Sequence, residues 1–193
     1  MKLLISVLLS LVYVNTNAQV GPTRNWVDSE VNYTDSKGNT ITVTNSLPKG
    51  GGVVDKNGKK YGYRVFWTRI RNKSATPINF KVKFPDATFF KSVAPHIKII
   101  LTNESMTLGK TQLYDYGLTN IQSLVNENFN PVISLQKKIN PQEEYFFYVP
   151  VLIYEDRGAA RASLILKGQK LYYKINIGSK TALIPCGSLD FKN

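Results

Sequence analysis

An all-β sandwich is the fold that the sequence predicts, and three observations predict it. Runs rich in β-branched and aromatic residues recur along the chain, with 11 Tyr and 9 Phe. Clusters of Gly, Pro, Asn, Asp and Ser interrupt those runs roughly every ten residues, the spacing of a sandwich or small barrel. Thr111–Pro131 is the least sheet-like stretch. Uneven strands and loops favour a sandwich, of about eight or nine antiparallel strands, with at most a short helix on a crossover loop.

The elements follow in order. Residues Gln19–Asn32 show no period, and Trp26 and Val27 are the side chains with which such an arm would dock. Tyr33–Leu47 reads as a hairpin turning at Asp35–Asn39 into the β-branched run Thr40–Thr44. Gly50-Gly51-Gly52 reads as a loose connector. It is no phosphate cradle, because no helix follows it. Val53-Val54 leads to an Asn57-Gly58 hairpin turn, whose acids are too few for a calcium loop. Tyr61–Arg71 is the strongest strand, with Tyr63, Val65, Trp67, Arg69 and Arg71 on one face and Arg64, Phe66, Thr68 and Ile70 on the other. Ile78–Phe84 alternates cleanly between apolar residues and Asn79, Lys81 and Lys83.

Ile97–Leu101 reads as a short strand. Thr119–Gln122 has capping-box spacing, and Ile121, Leu124 and Val125 would share one face of a helical turn or two. Val132–Ile139 and Glu144–Tyr154 are strands joined by an Asn140-Pro141-Gln142 turn. The second is apolar on both faces and therefore central, and Pro150 marks a bulge or a change of sheet within it. Ala162–Leu166 and Leu171–Ile177 form a hairpin with Gly168 and Gln169 at its tip, and Ala182–Ile184 adds a last short strand.

The Asn-rich turn before Pro77 and the Asn-Pro turn before Glu143 resemble those of immunoglobulin-like secreted domains. That resemblance implies an immunoglobulin-like sandwich. The resemblance is to a broad shape: true immunoglobulin domains carry a Cys pair with an intervening Trp, and Cys186 is the single cysteine of this chain.

Domain organisation follows from the amino terminus. Lys2, the apolar run Leu3–Val14 and the small-residue exit at Ala18 have the pattern of a cleavable signal peptide over residues 1–18. The run is too short to span a bilayer comfortably. Residues 19–193 then form one domain, with 19–32 as a flexible or docking arm, and no transmembrane segment remains. The expected location is secreted or periplasmic. A lone cysteine excludes an internal disulfide, and burial as a small hydrophobe is its expected state.

Charge is uneven. Lys49–Lys98 holds twelve basic residues and two acids, which is +10 of the chain's +12. If Tyr61–Arg71 paired with Ile78–Phe84, one sheet surface would gather Lys59, Lys60, Arg64, Arg69, Arg71, Lys73, Lys81 and Lys83. Such a surface suits an anionic envelope polymer, an anionic lipid or an acidic partner protein. Nucleic acid is physically compatible and disfavoured by export. Tyr114, Tyr116, Tyr172 and Tyr173 are candidate aromatic contacts for sugar rings, or else core residues.

Catalytic signatures are absent. His96 is the single histidine, one His with one Cys cannot build a zinc site, and no Gly-x-Ser-x-Gly turn occurs. The expectation is therefore no enzyme, no cofactor and no metal. Glu143-Glu144 and Glu155-Asp156 keep glycoside cleavage open as the remotest alternative. A carbohydrate-binding module stands nearer, as does a pilus, adhesion or chaperone-like protein acting through strand addition. The short signal, the many Asn, Lys and Ile residues and the missing disulfides suggest a bacterium with an AT-rich genome, a host in which the sequons at Asn32, Asn72 and Asn103 are expected to be chance.

Overall fold

The computed structural model describes residues 24–85, 97–125, 134–154 and 159–191. They form two antiparallel sheets packed as a sandwich, with eleven strands. The first sheet holds β1 (Val27–Thr34), β2 (Thr40–Ser46), β4 (Lys60–Asn72), β8 (Glu144–Tyr154) and β6 (Ile97–Ile99) in that order, and β3 (Lys49–Val54) also pairs with β4. The second runs β7 (Leu135–Ile139), β5 (Ile78–Val82), β11 (Lys180–Phe191), β10 (Lys170–Ile177), β9 (Ala160–Lys167). Among the described residues the only helices are 3-10 turns at Leu108–Lys110, Tyr114–Gly117 and Ile121–Val125, and no helix is long and apolar enough to cross a membrane.

Period-two burial builds the main core between the sheets. Phe66 and Ile70 of β4 and Phe147, Val149, Val151 and Ile153 of β8 meet Phe80, Leu164, Tyr173, Ile175 and Leu189 of the other sheet. Two buried asparagines join the layers. Asn45 of β2 accepts from Leu164 N–H and Thr68 Oγ1, and its amide donates to Leu164 O. Its side chain thereby satisfies the backbone groups of Leu164 on the outer edge of β9. Asn72, fully buried where β4 leaves for β5, donates to Thr76 O and Ile139 O and accepts from Ser74 N and Oγ. Its backbone bonds to Glu143 O and Gln142 N–H, so the two Asn-bearing turns are one structure. With both amide hydrogens used, the Asn72 sequon cannot carry a glycan in the folded chain.

Eleven strands exceed the eight or nine expected, and three elements differ from their reading in the sequence. Val27–Thr34, largely read as an unpatterned arm, is an edge strand whose outward residues are polar. The glycines are no loose connector. Gly50, Gly51 and Gly52 pair with Arg64, Tyr63 and Gly62, and a Cβ at Gly50 would lie 2.1 Å from Tyr63 O. The last strand is central rather than short, pairing with both β10 and β5. A bulge at its middle admits Pro185, and at Gly187 a Cβ would lie 1.9 Å from Lys81 O.

Pro150 marks neither a bulge nor a change of sheet, because β8 keeps register with β4 throughout. Its N–H-free side faces β6, whose pairing stops there, and its carbonyl accepts from Ile100 N–H. The capping box does not form: Thr119 N–H and Oγ1 donate to Glu104, and the Gln122 amide donates to Val54 O. Cys186 is 1% exposed, and burial pushes its thiol up to about 12.

Candidate functional site: the two outer faces

The strands present two outer faces, and each is furnished differently. On the first sheet, Tyr63, Val65 and Trp67 of β4 and Tyr148 and Leu152 of β8 point away from the main core. Residues 100–125 cover them and bring Ile100, Met106, Tyr116, Leu118 and Leu124 into a second apolar core. The cover turns through three consecutive left-handed residues, Asp115 (φ 45°), Tyr116 (φ 58°) and Gly117 (φ 69°). Left-handed backbone costs a non-glycine residue about 1–2 kcal/mol, so surrounding contacts must hold it.

Several contacts do so. Tyr63 Oη donates to Asp115 Oδ2 at 2.6 Å, Tyr116 Oη donates to Leu47 O, and Tyr148 Oη donates to Tyr116 O. The Tyr63 phenol is held well above its ordinary range by burial and by the adjacent Asp115 carboxylate. Lys49 Nζ donates to Thr111 O and Leu113 O and lies 4.2 Å from the Trp26 ring centroid and 4.4 Å from that of Tyr116. Burial lowers the Lys49 pKa, and the Asp115 charge opposes that shift.

On the second sheet the outer face is basic, and no described residue covers it. Directly paired residues share a face, so one row crosses all five strands: Gln136, Lys81, Ser188, Lys170, Lys167. A second row places Lys138 beside Asn79 and Asp190, and a third places Lys174 between Leu183 and Ser163. Tyr172 lies between Pro185 and Ile165 on the same side, partly exposed. Arg161 also faces outward and pairs with Asp28 of β1 at 3.4 Å. Among the described residues of these strands, Asp190 is the one acid on that face.

The candidate basic patch therefore divides. Its condition, pairing of the fourth and fifth strands, is not met, because they belong to different sheets. Lys81 lies on the basic face and Lys83 continues its alternation, exposed, just past the strand end. Arg69 lies on the opposite outer face, bonded to Glu30 at 2.9 Å and 3.6 Å from Glu144, and Arg71 is exposed beyond it. Lys73 donates to Asn32 Oδ1 near the same edge. Lys59 holds its ammonium 3.6 Å from the Tyr154 ring centroid, and Lys60 follows it, exposed. Arg64 Nη1 donates to Tyr63 O.

The aromatic candidates divide as well. Tyr116 and Tyr173 are fully buried core residues, Tyr114 is 78% exposed on the cover of the first sheet, and Tyr172 stands on the basic face. Of the acids, Glu143 accepts from Asn140 N–H within its turn and Glu144 faces Arg69. His96 and Glu155-Asp156 lie outside the described residues.

Sequence reasoning missed Lys138, Lys167, Lys170 and Lys174, which lie outside Lys49–Lys98, although residues 157–193 alone hold seven basic residues and one acid. The usable signal was the alternation Lys170, Tyr172, Lys174 against Leu171, Tyr173, Ile175. Comparison with protein families and with curated proteins finds no match.

Proposed function

We propose that the chain is an exported, non-enzymatic binding module of the bacterial cell envelope, which presents the outer face of its five-stranded sheet to an anionic polymer, lipid or acidic partner. The observation that carries this reading is the row of Lys81, Lys170 and Lys167 crossing that sheet with no acid in it. Lys167 stands directly opposite Lys170, and like charges in that position are destabilising unless an anion lies over them. The signal-like residues 1–18 support export. The coupled turns at Asn72 and Asn140–Glu143 support the immunoglobulin-like form of the sandwich.

The test is co-sedimentation of the purified protein with isolated envelope fractions across a salt series. Binding that weakens steeply with salt, and that is lost in a Lys81→Glu, Lys170→Glu variant, is the expected outcome. Equal binding by both proteins at all salt concentrations removes the basic face from the function. A second reading, strand addition by another chain, draws on a groove of about 510 Å³ lined by Thr102–Leu108 and Glu144–Phe147, beside the part of β8 that β6 leaves unpaired. Salt-insensitive binding that a Phe146→Pro variant abolishes would favour it.

A further inference from the structure

We infer that the ligand of the basic face is an acidic polysaccharide, a linear sugar polymer bearing carboxylates, with Tyr172 as the platform for one sugar ring. The inference rests on the reading of the five-stranded sheet as an anion-binding face and specifies its ligand class. Lys170, Tyr172 and Lys174 occupy alternate positions of β10 and face outward together. Each lies roughly 7 Å from the next along the strand. Pro185 and Ile165 flank Tyr172 on the adjacent strands, so the ring has an apolar neighbour on each side. The Lys167 ammonium stands 5.6 Å from its centroid. A cation, an aromatic platform and further cations thus alternate on one sheet face.

This arrangement has no preference for a small anion, which would need a concave site with converging donors. Nor does it suit a bilayer, because the aromatic ring lies in a sheet surface between its neighbours and does not project from a loop or helix as an insertion anchor does. It matches a chain in which a ring and an anionic group recur together. The ring lies against Tyr172 through apolar contact, and its carboxylates reach Lys170 and Lys174.

Three probes separate the terms at low salt: polygalacturonate (rings with carboxylates), polyglutamate (carboxylates without sugar rings) and dextran (rings without charge). Binding is read by titration calorimetry, with the two polyanions at matched carboxylate concentration and dextran at the sugar-unit concentration of polygalacturonate. The expected result is polygalacturonate tightest, roughly fivefold or more over polyglutamate, the size of one aromatic contact. Tyr172→Val, which keeps a strand-forming side chain, brings that ratio to about one while leaving polyglutamate unchanged. Lys170→Gln, Lys174→Gln weakens both, and thermal melts confirm that each variant is folded. Equal affinity for the two polyanions, or a ratio unmoved by Tyr172→Val, overturns the polysaccharide inference and leaves the basic face standing. No binding to either polyanion overturns both.

Discussion

The two outer faces of the sandwich are built from strands of the same period and end as opposites. On the first sheet the outward positions of β4 and β8 are Tyr63, Val65, Trp67, Tyr148 and Leu152, and a second core covers them. On the second sheet the outward positions of β10 and its neighbours are Lys170, Tyr172, Lys174, Lys81 and Lys138, and no described residue covers them. A large apolar face left open would invite association, so the chain spends residues 100–125 to close it. A charged face needs no such cover. The difference places a second apolar core on one side of the molecule and leaves the other side uncovered by any described residue.

The largest test of that division removes one aromatic side chain from each face. Tyr148 is fully buried beneath the cover and holds Tyr116 O. Tyr148→Ala is expected to destabilise the fold by about 3–5 kcal/mol, the range for large buried aromatics. Tyr172→Ala on the other face is expected to change stability by no more than about 0.5 kcal/mol. Urea denaturation of the two variants checks both values. Comparable losses would show that the basic face is as structural as the covered one.

A smaller effect is expected at the latch. Lys49→Met keeps the aliphatic stem and removes the ammonium that bonds Thr111 O and Leu113 O between two aromatic rings. The expected loss is about 1–3 kcal/mol, the penalty of leaving carbonyls unsatisfied. It should concentrate in the cover: amide exchange should quicken at residues 107–118 and hold steady in β10 and β11. Uniform quickening would mean that the cover and the main core open as one unit.

Much of this architecture was legible in the sequence, and what was not has physical causes. β5 and the β9–β10 hairpin follow period-two patterning, which a half-buried strand imposes directly, whereas β4, buried on both faces, is legible from its run of β-branched and aromatic residues. β3 was hidden because glycine carries no side chain to pattern, although the close approach to Tyr63 O demands it. β11 was hidden by Pro185 and Gly187, two residues that a bulge tolerates and a regular central strand does not. The basic face was half legible for a further reason. Charge density along the chain marks Lys49–Lys98, yet consecutive strands β4 and β5 enter different sheets, and that crossing sends Arg69 and Lys81 to opposite sides. Lys167, Lys170 and Lys174 join Lys81 only through strand order, which no local pattern encodes.

The smallest effects test the charges at the two surfaces, and they carry opposite signs. Glu30 has a lowered pKa, first through the Thr44 hydroxyl that donates to it and then through Arg69. A carboxylate with its folded pKa below the unfolded one adds stability above the unfolded value, and that stability is lost as pH falls through the folded pKa. Glu30 is half exposed, so solvent screening holds the contribution to about 0.5 kcal/mol or less. Glu30→Gln should therefore lower the melting temperature slightly at pH 7 and make no difference at pH 2. Lys167→Gln should do the reverse at neutral pH: it removes a cation directly opposite Lys170 and should stabilise the hairpin by a few tenths of a kcal/mol, roughly 0.2–0.5. That gain belongs to exposed charges and should fade as salt rises past the point where the Debye length nears 3 Å, at about 1 M. A loss of stability in Lys167→Gln at low salt would mean that the lysine row is held by favourable contacts, and the basic face would then need no anion to explain its charge.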